Sequence, residues 1–212
     1  MFPAGNLGPP GSRRAAPFSC RAFSLIELLI TTAIILIMFV MLWGRSSRNF
    51  QRQQKLACQA NLQTIYVALK IYAGDFKDSF PVRPGAKTPQ AALGLLVPRY
   101  TTITSPFICP GTKKAPLPEG EPLEKHKISY AYYMGRKLTD ASEALMSDWQ
   151  IDNGPKILGR QVFSADGKKP GNNHHKYGGN FLFCDGSVQM SASKAPFSLL
   201  LPEGLVLLNA DY

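Results

Sequence analysis

Four cysteines and three histidines are few for a chain of 212 residues, and none of them sits in a metal-ligand spacing. There is no CxxC pair and no HxxxH pair, so zinc of the finger or zincin type has no motif to rest on. No serine or cysteine lies in a nucleophile elbow, and no two carboxylates share the context of a general acid and base, so the chain is not read as an enzyme. The net charge of +10 invites a nucleic-acid partner. The basic residues, however, form no aromatic-rich patch, and no helix-turn-helix, zinc-finger or RNA-binding strand pattern is present; nucleic acid is excluded as the partner. Proline is also missing over a long stretch, from Phe18 to Pro81, which leaves a single long helix open there.

What fills that stretch is apolar at first. From Leu25 to Trp43 the run is interrupted only by Glu27, Thr31 and Thr32. As a helix it spans about 28 Å, close to the hydrocarbon thickness of a bilayer, and Trp43 suits the far interface. A secretory signal would have a shorter apolar core followed by a small-residue cleavage site, which this run lacks. A lipoprotein signal fails as well, because Cys20 precedes the run. Arg13, Arg14 and Arg21 lie before the segment and Arg45, Arg48, Arg52 and Lys55 after it, so the positive-inside rule is close to a tie.

Glu27 is the unusual residue. A carboxylate inside an apolar helix costs roughly 2.5–3.5 kcal/mol on insertion scales, which argues that it has a partner. Two readings stand. Ser24-x-x-Glu27 is a helix capping box, which would satisfy the carboxylate locally. The junction Arg21-Ala22-Phe23-Ser24-Leu25-Ile26-Glu27 also resembles the cleavage site of type IV prepilins and type II secretion pseudopilins, commonly Gly-Phe-Thr-Leu-Ile-Glu. That resemblance implies a cytoplasmic leader of residues 1–22, cut between Ala22 and Phe23 by a prepilin peptidase, with N-methylation of Phe23. It further implies that Glu27 pairs with the amino terminus of a neighbouring pilin or pseudopilin subunit during assembly. Losing the leader removes three arginines and no acid, lowering the charge from +10 to +7.

Beyond the apolar run, Cys58, Leu62, Ile65, Leu69, Tyr72 and Phe76 recur at spacings of three and four and mark one face of a helix. The expectation is one helix from about Phe23 to Ala73, membrane-spanning over 23–44 and amphipathic over 45–75. Residues 76–127 hold nine prolines and read as an irregular excursion with a short helix near Pro89–Val97. A long excursion calls for a pin. Cys58 on the buried face and Cys109 are the favoured disulfide pair, with Cys109–Cys184 as the rival.

Residues 128–212 read as a β-rich head. Ile128–Met134 and Ala144–Trp149 are strand-like, and 180–190 reads as a hairpin around Asp185-Gly186, for which a two-residue type I′ turn is the expectation. The fold class is therefore α+β: a long N-terminal helix packed against a small antiparallel sheet, pilin-like. His175, nine residues, then Asp185-Gly186 is similar to the His-x9-Asp-Gly element of pilin-like proteins from planctomycete- and verrucomicrobium-type bacteria. The segments Asn61-Leu62-Gln63-x-Ile65, Tyr72-Ala73-x-Asp75 and Phe107-x-Cys109-Pro110 fit the same group. His174, His175, Asp148 and Asp185 are expected to converge near the strand ends. Asp148, His175 and Asp185 are the candidate metal ligands, with calcium the candidate ion and no obligate cofactor otherwise. The alternative is that His175 holds a loop carbonyl and fixes the approach of Gly178-Gly179 to the hairpin.

The functional expectation is a structural subunit of a type IV pilus-like or type II secretion pseudopilus filament. It would be a single-pass inner-membrane protein with a periplasmic C-terminal domain until it joins a filament. The alternative is a membrane-tethered module, processed the same way, that displays its head to a ligand such as a glycan.

Overall fold

The computed structural model describes residues 24–43 and 47–210, with side chains over 24–41 and 49–210. The leader, Ala22, Phe23 and Gly44 lie outside the described residues. The chain divides into two units, Met1–Arg45 and Ser46–Tyr212.

The first unit contributes helix α1, Leu25–Trp43, 19 residues long. Its first turn closes through the backbone, with Glu27 N–H and Leu28 N–H both donating to the Ser24 carbonyl at 3.0 and 3.1 Å. Every side chain described in α1 is exposed, the apolar ones on all sides of the helix. Among the described residues no helix is long and apolar enough to cross a membrane.

The second unit begins with helix α2, Ser47–Asp75. Residues 44–46 are not described, so a single unbroken helix over 23–73 stays an expectation. The apolar stripe of α2 is buried at Cys58, Leu62, Ile65, Ala68, Leu69, Tyr72 and Ala73. Phe76 falls one residue beyond the helix and is largely exposed, stacked on Tyr72 with ring centroids 4.2 Å apart. Lys55 extends the buried stripe by one turn towards the N-terminus.

After α2 the chain runs through helix α3, Pro89–Leu93, and 3-10 turns at Gly94–Leu96, Ser105–Phe107 and Leu123–Lys125. It then builds five strands: β1 Tyr130–Met134, β2 Ala144–Asp148, β3 Gly179–Phe183, β4 Val188–Ser191 and β5 Val206–Leu208. The strands form one antiparallel sheet in the order β4-β3-β2-β1-β5. This is the α+β, pilin-like arrangement of a helix packed with a small antiparallel sheet.

Both faces of that sheet are covered. Tyr130, Tyr132, Met134, Met146, Leu182 and Leu208 point into a core shared with α2 and α3. Ala131, Tyr133, Ala144, Phe181 and Leu207 pack on Val162, Phe163, Ala195 and Leu199 from the irregular segments after β2 and β4. Alternation along β1 sorts its residues between the two cores, as the period of two requires. The register of β2 against β3 shifts between Ala144 and Met146, a bulge that turns both Leu145 and Met146 to the helix side.

The β3–β4 hairpin corrects the expected turn type. Gly186 N–H donates to the Phe183 carbonyl at 3.0 Å, and Phe183 N–H to the Ser187 carbonyl at 2.9 Å. Gly186 has φ +90 while Asp185 does not have positive φ. The loop is thus a type I turn followed by a left-handed glycine, the three-residue class of hairpin, and not a two-residue type I′ turn.

Candidate functional site

Two regions of the chain carry chemistry, one in each unit. In the first, Glu27 stands in the opening turn of α1, exposed among apolar side chains that are equally exposed. A helix end also leaves its first N–H groups unpaired and favours negative charge nearby. Ala22 and Phe23 precede this turn directly and lie outside the described residues.

In the second unit, four ligand-type side chains meet in the interior: Cys58, Cys109, Asp148 and His174, all buried. They come from four separate parts of the chain. Cys58 sits on the buried stripe of α2, Cys109 follows the Ser105–Phe107 turn, Asp148 ends β2, and His174 lies in the loop before β3. The two cysteines are joined as a disulfide, with Cα atoms 5.5 Å apart, within the usual range for such a bridge. The fourth position in sequence, Cys184, stays a free buried thiol.

His174 Nε2 faces two of the others, at 3.3 Å from Asp148 Oδ2 and 3.4 Å from Cys109 Sγ. The Asp148 carboxylate also accepts from Asn173 Nδ2 at 2.9 Å, from Asn180 N–H at 2.7 Å and from Asn180 Nδ2 at 3.1 Å. Burial alone would push this carboxyl up. The electrostatic pull and hydrogen bond of His174, with the hydrogen bonds from the Asn173 side chain and the Asn180 backbone, outweigh burial and hold it below the ordinary aspartate value. The Lys55 ammonium donates to the carbonyls of Tyr177 at 3.0 Å and Ser191 at 2.9 Å. Burial lowers its amine from the ordinary lysine value, and the Asp148 charge opposes that shift.

Each sulfur also receives a hydrogen bond. Tyr130 OH donates to Cys58 Sγ at 3.4 Å, and Gly111 N–H donates to Cys109 Sγ at 3.3 Å. Gly111 has no room for a side chain: a Cβ would stand 2.1 Å from the Asn173 carbonyl oxygen and 2.8 Å from His174 Nδ1. The segment Cys109-Pro110-Gly111 is therefore pressed against the His174 loop.

The residues expected as a metal set are not brought together. Asp148 is central, but Asp185 sits at the other end of β3, exposed in the hairpin, accepting from Ser187 N–H at 2.8 Å and Ser187 OH at 2.7 Å. His175 is exposed, has φ +56, and lies over Gly167, where a Cβ would come within 2.6 Å of its Nδ1. Of the adjacent histidines, it is His174 that enters the interior. No spacing rule finds this cluster, because each of its four members comes from a different element. Beside it, an open groove of about 600 Å³ is lined by Phe50, Gln54, Pro110, Gly111, Asn172 and His175, among others.

Residues 18–43 match the family described as the prokaryotic N-terminal methylation motif, the signal of type IV pilins and pseudopilins. The match takes in the expected cleavage junction, Glu27 and the whole of α1. The chain thus carries a pilin-like, prepilin-type processing signal; the motif is structural in kind, and it implies a prepilin peptidase and pilin-type subunits as partners in general. No curated protein and no solved structure matches the chain.

Proposed function

We propose that this chain is a structural subunit of a filament of the type IV pilus or type II secretion pseudopilus kind. It is cut between Ala22 and Phe23, N-methylated at Phe23, and assembled through α1. The observation that carries this reading is a coincidence of position. The methylation motif over residues 18–43 falls on a helix that has Glu27 in its first turn and exposes apolar side chains on every side. Such a surface is stable only in lipid or against other helices.

In this reading α1 is first an anchor in the inner membrane, with its 19 residues spanning about 28 Å. Residues after Arg45 lie outside that membrane, which the Cys58–Cys109 disulfide supports, since such bridges persist in oxidising compartments. Glu27 pairs with the new α-amino group of Phe23 on a neighbouring subunit, which stabilises a charge otherwise stranded among apolar side chains and fixes axial register.

Glu27→Ala tests this. The variant is expected to be cleaved as usual and to be absent from sheared filaments. Normal incorporation overturns the assembly role and leaves the tethered ligand-binding module, which needs no charge in its anchor.

A further inference from the structure

The sulfur atoms of Cys58 and Cys109, a nitrogen of His174 and an oxygen of Asp148 all lie within 4.8 Å of one another. A tetrahedral zinc ion holds such atoms about 3.3–3.8 Å apart. His174 Nε2 already meets that spacing to Asp148 Oδ2, at 3.3 Å, and to Cys109 Sγ, at 3.4 Å. The two sulfurs, bonded to each other in the disulfide, must separate to that spacing once it is opened.

The surroundings are those of a thiolate pair. Tyr130 OH and Gly111 N–H each point at a different sulfur. A disulfide sulfur is a poor acceptor and gains little from this, whereas a metal-bound thiolate carries charge that such donors stabilise. Asp148 is held in place by Asn173 and by the Asn180 backbone. His174 turns Nε2 to Asp148 Oδ2 and Cys109 Sγ, while its Nδ1, buried without a hydrogen-bond partner, would carry the ring proton when Nε2 ligates. Two sulfurs, one imidazole and one carboxylate favour a borderline-soft ion such as zinc and do not suit calcium. A divalent ion with two thiolates and one carboxylate carries a net charge of about −1, and the buried Lys55 ammonium, which interacts with Asp148, offsets it.

We propose that the dithiol form of this chain binds one Zn²⁺ through Cys58, Cys109, Asp148 and His174, so that metal and disulfide are alternative ties between α2 and the Cys109 turn. Loading forms two Zn–S bonds, one Zn–N bond and one Zn–O bond, displaces water from the hydrated ion and releases the two thiol protons to solvent. Closing the disulfide from the zinc-bound form takes two electrons from the two thiolates and breaks the bonds to zinc. A thiol–disulfide exchange oxidant takes the electrons with two protons from solvent, its own disulfide becoming a dithiol, and the zinc leaves as hydrated Zn²⁺. A dithiol reductant reverses the step. A newly made chain that has not met an oxidant is thereby offered a folded head before the bridge forms.

The test uses the full-length chain in detergent, stripped of metal, with Co²⁺ as a spectroscopic probe. After reduction with a phosphine, the wild type is expected to take up one Co²⁺, with thiolate-to-cobalt charge-transfer bands and the intense visible bands of a tetrahedral site. Zn²⁺ should displace it. The same protein left oxidised should show none of these bands, a control that needs no substitution to fold. Cys58→Ser and His174→Ala should lose the tetrahedral spectrum, while Cys20→Ser and Cys184→Ser keep it. Tyr130→Phe should keep the spectrum with affinity weakened about tenfold. Reduced wild type without thiolate-to-cobalt bands overturns the proposal, and so do bands that survive unchanged in Cys58→Ser.

Discussion

The ring of Tyr66 lies so close over Gly186 that a Cβ on that glycine would come within 2.4 Å of it. The same tyrosine donates its hydroxyl to the Cys184 carbonyl at 2.8 Å, so α2 grips the β3–β4 turn from both ends of one side chain. Two demands thus fall on residue 186: a left-handed backbone with φ +90, and no side chain at all. The Asp-Gly pair has a structural account here, with Asp185 capping Ser187 and Gly186 admitting the Tyr66 ring.

Gly186→Ala is therefore expected to destabilise the head more than Gly85→Ala. Both glycines have positive φ, at +90 and +76, which costs an alanine about 1–2 kcal/mol in either place. A Cβ at Gly85 meets nothing within 4 Å, whereas the one at Gly186 must displace Tyr66, adding about 1–3 kcal/mol of overpacking. Chemical denaturation of the two variants checks the difference. Equal losses would show that the turn gives way freely.

Stability should fall at alkaline pH because of the tyrosines on β1. Tyr132 is fully buried and donates to the Pro81 carbonyl at 2.8 Å; burial first, then the nearby Cys184 and Tyr72, push its hydroxyl well above the usual tyrosine range. The unfolded chain releases this proton near pH 10 while the folded chain keeps it. The contribution is thus present below about pH 10 and declines as pH rises beyond it. Tyr132→Phe is expected to lower stability by about 1 kcal/mol at neutral pH and to flatten the alkaline decline. Denaturation midpoints measured from pH 7 to 11 provide the check; an unchanged slope in the variant contradicts it.

Much of the fold could be read before the structure. The i, i+3, i+4 pattern picks out the buried stripe of α2 from Cys58 to Tyr72, and turn residues locate the β3–β4 hairpin. Three things could not be read, each for a physical reason. Strands buried on both faces lose the polar alternation that marks one face as solvent-exposed, so the layer of Val162, Phe163, Ala195 and Leu199 was invisible. β5 is only three residues long and pairs across the chain with β1. The Cys58, Cys109, Asp148 and His174 cluster joins four distant segments, and of two adjacent histidines the sequence does not mark which one is buried.

Cys184 should be chemically silent in the native head. It is fully buried, and burial is the main cause that pushes its thiol up to about 12. At pH 8 the thiolate fraction and the access are both minimal. Iodoacetamide is expected to leave Cys184 unmodified in the folded protein and to alkylate it fully once denaturant is added, as read by peptide mass spectrometry. Rapid native labelling would contradict the packing of the β3–β4 turn beneath Tyr66.

The filament assignment rests on what happens at the junction of Ala22 and Phe23. The measurement that tests it most directly is intact-mass and N-terminal mass spectrometry of this chain, recovered from filaments sheared off the native cells. The account predicts a chain that begins at Phe23, carries one methyl group on its α-amine and is present in the filament fraction. A chain that retains residues 1–22, begins elsewhere, or is absent from that fraction contradicts it.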